Sequence, residues 1–466
     1  MTPNIILISI DTLRADHLSC YGYHRPTTPN IDKLASEGTI YRQNYSTGVW
    51  TPPGHASMLT GLYVSEHGVY GERRLATDIP TIATVLKENE YQTAGFVNNS
   101  QVGELVGFNK GHDLFVEVWK GVQSRTVIEK IIKGGFRKIR KYLGSEDMGA
   151  KRTNCLFSDW INRIDKDKPF YCFLHYIESH NPLSPPVPFR KQFPGKYKNI
   201  DKDKVDRVAH NPLICYVEDI NLNDNEVSYI KDLYDGEIAY TDSIIGEIIS
   251  MLRNNNIYDN TMIIITSDHG EHFGEYGHWS HVASLHQEVL HVPLIIKYPE
   301  GIDYLEEVNG YTQLVDIFPT IMGVAGVFKD RFTTVSGLNL MQFKKNQNKY
   351  HEYVFAEWEG RIPYFIAERF EQSGNKINLE MIKNRMIMIQ NKKYKCISSS
   401  GGDEEFYDIS DGNEVVLNKS SLSNGPLKDL KDKLSEYKTL VSLAEEDSPY
   451  TVDDEIAKNL KSLGYM

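Results

Sequence analysis

Short, almost wholly apolar runs that recur between amphipathic stretches constrain this chain more than any other feature. The runs are NIILISI (4–10), TAGFV (93–97), FYCFLHY (170–176), TMIIIT (261–266) and VPLIIKY (292–298). None alternates apolar and polar residues as a strand with one wet face would. A strand that is apolar at nearly every position needs cover on both sides. The intervening stretches TIATVLKENE (81–90) and YTDSIIGEIISMLRNN (240–255) carry apolar residues at helical spacing and supply that cover. This alternation predicts an α/β fold with a mostly parallel central sheet sandwiched by helices.

After QLVDIFPTIMGVAGV (313–327) the pattern shifts to the shorter strand-like pieces VFAEW (354–358), RMIMIQ (385–390) and YKCIS (394–398), followed by a terminal helix. A chain of 466 residues suits one large unit and a smaller one. The expected division is a catalytic unit over 1–330 and an α+β subdomain over 331–466. Residues 184–225 are rich in Pro, Lys and Asp, lack periodicity, and are expected to form a long excursion near the site. The stretch 118–153, which includes RTVIEKIIKGGFRKIRKYL, reads as a solvated helix or lid in preference to an anion-attracting patch.

The net charge of −12 argues against a nucleic-acid or anionic-membrane footprint. No run approaches the roughly 18 apolar residues of a membrane span. MTPNIILISIDTLRAD carries no basic leader region or cleavage pattern, and the five cysteines lack metal or disulfide spacing. A reduced, cytoplasmic protein is the expectation.

Ligands in open α/β sheets sit beyond the carboxyl ends of the strands. Asp11 closes NIILISI, and Asp268 closes TMIIITS with His269 and Gly270 directly after it. Each acid alone reads equally well as a turn former or helix cap. Together, with an adjacent imidazole and a glycine that admits close backbone approach, they suggest a site for a divalent metal, Zn or Mn before Ca. Thr51 in VWTPPGHASMLTGLY (49–63) has two readings. It caps a proline-led helix, or its hydroxyl sits at the positive helix mouth as a metal-activated nucleophile. His55, at i+4, lies on the same face one turn deeper, where it either serves the site or packs.

Taken in order, these segments resemble the sulfatase branch of the alkaline phosphatase superfamily. ISIDTLRADHLSCYGYHRPTTPNIDKLASEG is similar to its first metal segment, and TPPGHASMLTGLYVSEHG to its signature segment. ATVLKENEYQTAGF, SDHGEHFGEYGHWSH, VPLIIKYPEG, LVDIFPTIMGVAG and the final LKSLGYM continue the match. The resemblance implies one metal held by Asp11, Asp268, His269 and the Thr51 oxygen. The family often has two consecutive acids at the first segment. Here the second is Thr12, one ligand fewer, which counts against Ca.

Formylglycine sulfatases carry Cys or Ser in a Cys-x-Pro-x-Arg pattern where this chain has Thr51, which cannot become that aldehyde. The Arg of the pattern is His55, the Gly-Lys-Trp-His segment is replaced by VNNS (97–100), and a later Lys position reads His281. TPPGH resembles the Thr-x-Pro-Asn-His of the phosphodiesterase branch, where an Asn meets the phosphoryl oxygen. Asn98 or Asn99 is placed for that role, or for a plain turn after the strand. In LHYIESHNPLSPP (174–186) the resemblance places His180 beside the leaving group or on a second metal, with Glu178 nearby. Glu178, His180 and His281 would form a second site, or His180 would act as general acid beside a single ion. His272 and His278 are expected to be solvated loop residues.

The expected function is metal-dependent hydrolysis of phosphate or sulfate esters through a covalent Thr51 ester, phosphoesters favoured over sulfate. Asn98 or His55 would offset charge on the equatorial oxygens, and His180 or His281 would protonate the leaving oxygen. One or two divalent ions are implied, and a small-molecule, glycan or lipid-headgroup ester as substrate. The alternatives are a soluble transferase of the phosphoethanolamine or phosphoglycerol type, and a non-catalytic binder of anionic ligands.

Overall fold

The computed structural model describes residues 2–121, 147–327, 335–342, 350–360, 382–417, 425–441, 458–460 and 462–463. Most of the basic stretch 118–153 lies outside these residues.

The main sheet is built from β1 (Asn4–Ile10), β2 (Thr39–Tyr45), β3 (Gln92–Val97), β4 (Leu114–Glu117), β5 (Phe170–Tyr176) and β6 (Thr261–Thr266). A two-stranded hairpin, β7 (His272–Phe273) with β8 (Trp279–Ser280), stands apart, and β9 (Leu294–Lys297) and β10 (Glu307–Gln313) complete the eight-stranded sheet. The strand order is β10-β2-β9-β6-β1-β5-β3-β4. Every pairing is parallel except those of β9, which runs antiparallel to both β2 and β6. The apolar run 292–298 is therefore a strand, but a reversed one. The chain leaves β6 at its carboxyl end, crosses the site as residues 267–293, and enters β9 from that same end.

β1 is buried at every position because side chains on both its faces are covered. Ile6, Ile8 and Ile10 join one apolar layer, and Ile5 and Leu7 join the other. The first layer is roofed by α1 (Pro29–Ser36) and further helices at Ala150–Ile161 and Asp224–Asn254. The second is roofed by α2 (Thr51–Thr60), α3 (Ile82–Glu88) and a helix at Ile317–Val324. The alternation predicted from the apolar runs is the fold observed.

The helix Asp224–Asn254 starts far earlier than its periodic stretch suggested. A capping box sets its start: Asn223 Oδ1 accepts from Asn225 N and Glu226 N, and Glu226 accepts from Asn223 N. The excursion before it contains a helix, Lys202–His210, that buries Val205, Val208 and Ala209.

A second, antiparallel sheet comprises β11 (Val354–Trp358), β12 (Met386–Gln390), β13 (Tyr394–Ser399), β14 (Glu404–Asp408) and β15 (Val415–Val416). Helix Pro426–Val441 packs Leu427, Leu430 and Leu434 against it. Among the described residues, no helix is long and apolar enough to cross a membrane.

Candidate metal centre and nucleophile

Three neighbouring strands, β6, β1 and β5, end side by side and deliver Asp268–His269, Asp11 and Glu178–His180 to one edge. Gln313 and Tyr45 close β10 and β2 at that edge, and α2 follows β2 to bring Thr51 alongside.

Asp11, Asp268 and His269 form the one cluster of potential metal ligands found among the described residues. All three are fully buried. His269 Nε2 lies 3.2 Å from Asp268 Oδ2 and 3.9 Å from Asp11 Oδ1. His269 Nδ1 faces Gly270 O at 3.0 Å, and a carbonyl only accepts, so in the neutral ring Nε2 presents a lone pair. Among the described residues, Asp11 Oδ1 and Asp268 Oδ2 are buried with no hydrogen-bond partner. Two orphaned carboxylate oxygens and an imidazole lone pair thus face one point. Burial of such acceptors without a donor is costly, and a divalent cation at that point would satisfy all three. The donor set fits a divalent metal.

Electrostatics agree. Burial raises the pKa of Asp11, but His175, His180 and His269 outweigh it and hold the group well below the usual carboxylate range. Burial and the Asp11 charge raise Asp268, and His269 and His55 bring it down. Both remain carboxylates, the state a cation requires.

Thr51 is the first residue of α2 but does not cap it. The N-cap is Trp50, at φ 86°, and its side chain makes no capping hydrogen bond. The threonine hydroxyl instead lies 3.4 Å from His269 Nε2, joining the metal cluster. The capping reading of Thr51 is thereby corrected. Prolines at 52 and 53 leave few N–H donors in the first turn to be capped. Close packing of α2 on the metal loop depends on Gly54, where a Cβ would lie 2.6 Å from Asp268 O. Gly270 is equally confined, with Glu288 O 2.0 Å from the position a Cβ would take.

His55 sits beneath the cluster. Its Nδ1 is 2.8 Å from Thr51 O and 3.3 Å from Asp268 Oδ2, and its Nε2 is 3.0 Å from Ser9 Oγ. Burial lowers its pKa, but the Asp268 and Asp11 charges overcome this and raise it. Both His55 nitrogens are engaged by the protein, and the ring lies against Asp268.

Of the two asparagines after β3, the one beside the metal ligands is Asn99. Its Nδ2 donates to Asp11 Oδ2 at 3.0 Å, and its Oδ1 accepts from Gln101 N at 2.9 Å. Asn98 turns the other way and donates to Met148 O. The expected role of Asn98 at the phosphoryl oxygen therefore meets a side chain facing residues 148–149.

Glu178 does not join His180 and His281. Its oxygens accept from Ala150 N at 2.6 Å and Ile177 N at 3.0 Å. Burial and nearby Asp147 push its pKa up to about 8. The second ligand group expected from Glu178, His180 and His281 is not assembled. His180 and His281 do meet, with ring centroids 5.2 Å apart, and His281 lies 4.4 Å from the His269 ring. His180 Nδ1 faces Asn181 O at 2.6 Å, and burial lowers its pKa. His281 is lowered to about 3 by burial and by His269.

The sequence reading missed His175 and Glu271. His175 Nδ1 accepts from Asn98 N at 3.3 Å, and its Nε2 is 3.5 Å from Asp11 Oδ2. Glu271 Oε2 lies 3.1 Å from His281 Nδ1, and burial pushes its pKa up to about 8. A histidine one residue short of the end of an apolar strand was the available signal for the first. His272, expected in solvent, is fully buried and bonded to Ser284 Oγ at 2.8 Å, and His278 is half-buried.

A mostly parallel sheet whose central strand ends converge two carboxylates, an imidazole and a helix-mouth hydroxyl places the chain in the alkaline phosphatase superfamily. Within it the chain belongs to the sulfatase family, a family of ester hydrolases, whose model matches residues 3–327. It is 25% identical over 371 residues to the uncharacterized sulfatase YidJ of Escherichia coli (strain K12), covering 74% of this chain and 71% of that protein. An arylsulfatase of Clostridium perfringens (strain 13 / Type A) is 25% identical over 481 residues, covering 89% and 98%. In fold, the chain resembles a phosphonate monoester hydrolase of Agrobacterium radiobacter, with a TM-score of 0.70, 20% identity and 95% of each chain covered. A 2-O GAG sulfatase superposes with a TM-score of 0.72 at 19% identity, covering 98% of this chain and 96% of that one.

Proposed function

We propose that this chain hydrolyses phosphate or sulfate esters through a covalent ester on Thr51, with phosphodiesters and phosphonate esters preferred over sulfate esters. The observation that carries the proposal is the placement of the Thr51 hydroxyl, freed from capping and 3.4 Å from His269 Nε2 beside two orphaned carboxylate oxygens. A threonine at the formylglycine position has no route to that aldehyde, so the hydroxyl itself is the nucleophile.

Asp11, Asp268, His269 and the Thr51 oxygen would hold one divalent ion, and mixed oxygen and imidazole donors favour Zn or Mn over Ca. When bound, such an ion supplies Lewis-acid chemistry, lowering hydroxyl pKa and offsetting anionic charge. The residues divide the remaining work. Thr51 Oγ1 attacks phosphorus or sulfur, its proton passes to solvent water, and the bond to the leaving oxygen breaks. Asn99 keeps Asp11 oriented. His180 protonates the leaving oxygen. Its Nδ1 proton faces a carbonyl, so Nε2 is the nitrogen that takes up and gives the proton. Burial opposes that charge, and an anionic ester in the site favours it. Water then attacks the Thr51 ester and gives a proton to His180 Nε2, the Thr51 oxygen departs and is reprotonated from solvent, and the acid product is released.

The division into a catalytic unit (1–330) and a smaller unit (331–466) is part of the proposal, and the second sheet borders the strand-end loops. Glu414, beside β15, accepts from Gln287 N at 3.0 Å, and Glu357 N donates to Thr47 O at 2.9 Å. A cytoplasmic location is supported by five unpaired cysteines.

The test is a panel of aryl sulfate, aryl phosphate, bis-aryl phosphate and aryl phosphonate esters with Zn²⁺, Mn²⁺ or Ca²⁺, and Thr51→Ala as control. Turnover of the diester and phosphonate above sulfate, abolished in Thr51→Ala, is the expected result. Faster sulfate turnover would overturn the substrate preference, and activity surviving in Thr51→Ala would overturn the nucleophile.

A further inference from the structure

We propose that residues 458–460 and 462–463 act as a positioning strap, clamping together the two loops that present Asn99 and His180 to the metal ligands. These residues lie far along the chain from both loops and beyond the second sheet. Leu460 and Leu463 are nonetheless 1% and 4% exposed, and they belong to the same apolar layer as Ile6, Ile8 and Ile10 of the central strand. From this anchored segment two polar contacts reach the site loops. Asn459 Oδ1 accepts from Ser100 N at 3.3 Å, and Leu463 O accepts from Asn181 Nδ2 at 2.9 Å.

Each contact falls one residue from a group that the proposed mechanism uses. Ser100 follows Asn99, whose amide donates to Asp11 Oδ2. Asn181 follows His180, and its carbonyl receives the His180 Nδ1 proton at 2.6 Å. The Asn181 side chain has one other backbone contact, to His210 O at 3.4 Å. The two loops leave adjacent strands, β3 and β5, and a single short segment bonds both. Ser100 and Asn181 are buried, so water does not easily replace either partner. Both contacts go to neighbours of the working residues, and so the residues of the strap are positioning residues. They fix how far the His180 ring stands from the leaving oxygen, and proton transfer is sharply sensitive to that distance.

The inference rests on the reading of His180 as leaving-group acid for one of its two tests. Asn459→Leu removes the acceptor while keeping a side chain of similar size, and Leu460→Ser/Leu463→Ser undocks the segment. Hydrogen–deuterium exchange on the metal-loaded protein is the first measurement. Both variants should accelerate exchange in residues 98–102, and the double variant also in 178–183, by about tenfold or more. The second measurement is kcat/KM across a series of aryl esters whose leaving phenols differ in pKa. The double variant should lose about tenfold more activity on the poorest leaving group than on a nitrophenyl ester, as should His180→Ala. A segment that merely stabilises the fold would lower the active fraction and reduce all substrates equally. Unchanged exchange in both loops would overturn the strap. So would uniform losses across the series in a background where His180→Ala discriminates. If His180→Ala itself shows no discrimination, the acid role fails, and exchange alone then decides the strap.

Discussion

Thr51→Val separates the two roles a threonine at a helix start can play. Valine keeps the β-branch and nearly the same volume, and it removes only the hydroxyl. If that hydroxyl capped α2, its loss would cost about 1 kcal/mol. The structure shows no such bond, and Thr51 Oγ1 instead makes a long 3.4 Å approach to His269 Nε2. Replacing a weakly bonded buried hydroxyl by a methyl should shift metal-free stability by no more than about 0.5 kcal/mol. Activity should behave very differently. Loss of the attacking atom removes the covalent route, and a fall on the order of 10³-fold or more is expected, equivalent to about 4 kcal/mol of transition-state stabilisation.

Two assays read this out. Urea unfolding in the presence of chelator gives the first term, and initial rates with saturating metal on a bis-aryl phosphate give the second. Thr51→Ser serves as the rescue control, because it restores a hydroxyl on the same backbone and should recover part of the rate. A stability loss near 1 kcal/mol in Thr51→Val would mean that the hydroxyl is a cap after all. Activity within about tenfold of the parent would mean that Thr51 is not the nucleophile, whatever its neighbours.

Asn99→Leu deletes the amide donor 3.0 Å from Asp11 Oδ2 and should weaken divalent-metal affinity by about tenfold or more, measured by competition with a chelating dye. Equal affinity in parent and variant would remove Asn99 from the support of the site. Glu178→Gln addresses pH. The Glu178 carboxyl is pushed from 4.5 to about 8 in the folded state by burial and Asp147, so the folded protein holds a proton that the unfolded chain has released. Its stabilising contribution is complete below the unfolded pKa and is lost as pH rises through the folded one, with a slope of about 1.4 kcal/mol per pH unit. Urea unfolding between pH 5 and 8 should show that slope in the parent and a flatter profile in Glu178→Gln. Parallel profiles would place the titration elsewhere.

The parts of the fold that could be read from sequence are those in which local chemistry and global placement coincide. β1, β5 and β6 are covered on both faces, so they appear as apolar runs, and the acids that end β1 and β6 stand out against them. β2, TIYRQNY, carries Arg42 and Gln43 half-exposed and gives no such run. The reversal of β9 depends on where residues 267–293 return to the sheet, and strand composition carries no record of that route. At the site, Asp11, Asp268, His269 and Thr51 were found because they occupy element ends. Asn98 and Asn99 could not be separated, because adjacent residues leaving a strand face opposite ways and a shift of one exchanges their roles. His175 was hidden inside a run that is otherwise apolar, and Glu271 inside a loop whose burial no pattern reveals.

The backbone at this site departs from ordinary conformations where the chemistry is assembled. Thr12 (φ 60°), Trp50 (φ 86°) and Ser280 (φ 63°) are non-glycine residues in the left-handed region, and they directly adjoin Asp11, Thr51 and His281. Each such conformation costs on the order of 1 kcal/mol or more and persists only where the surroundings over-determine it. Those surroundings are visible. Tyr234 OH donates to Thr12 O at 2.6 Å and accepts from Arg14 N at 2.9 Å. Trp50 is buried with its ring 5.4 Å from His281. The turn at Trp50 explains why Thr51 does not cap its own helix. An ordinary extended N-cap would place a capping side chain over the first turn. With Trp50 at positive φ the helix begins at Thr51 itself, and Thr51 enters as a helical residue whose hydroxyl meets His269. Strain at Trp50, absence of a cap and the hydroxyl beside two carboxylates are therefore one structural fact. The cost of a poorly capped helix is carried by the core beneath it, where Met58 and Leu59 of α2 pack in the same apolar layer as Ile5 and Leu7 of the central strand.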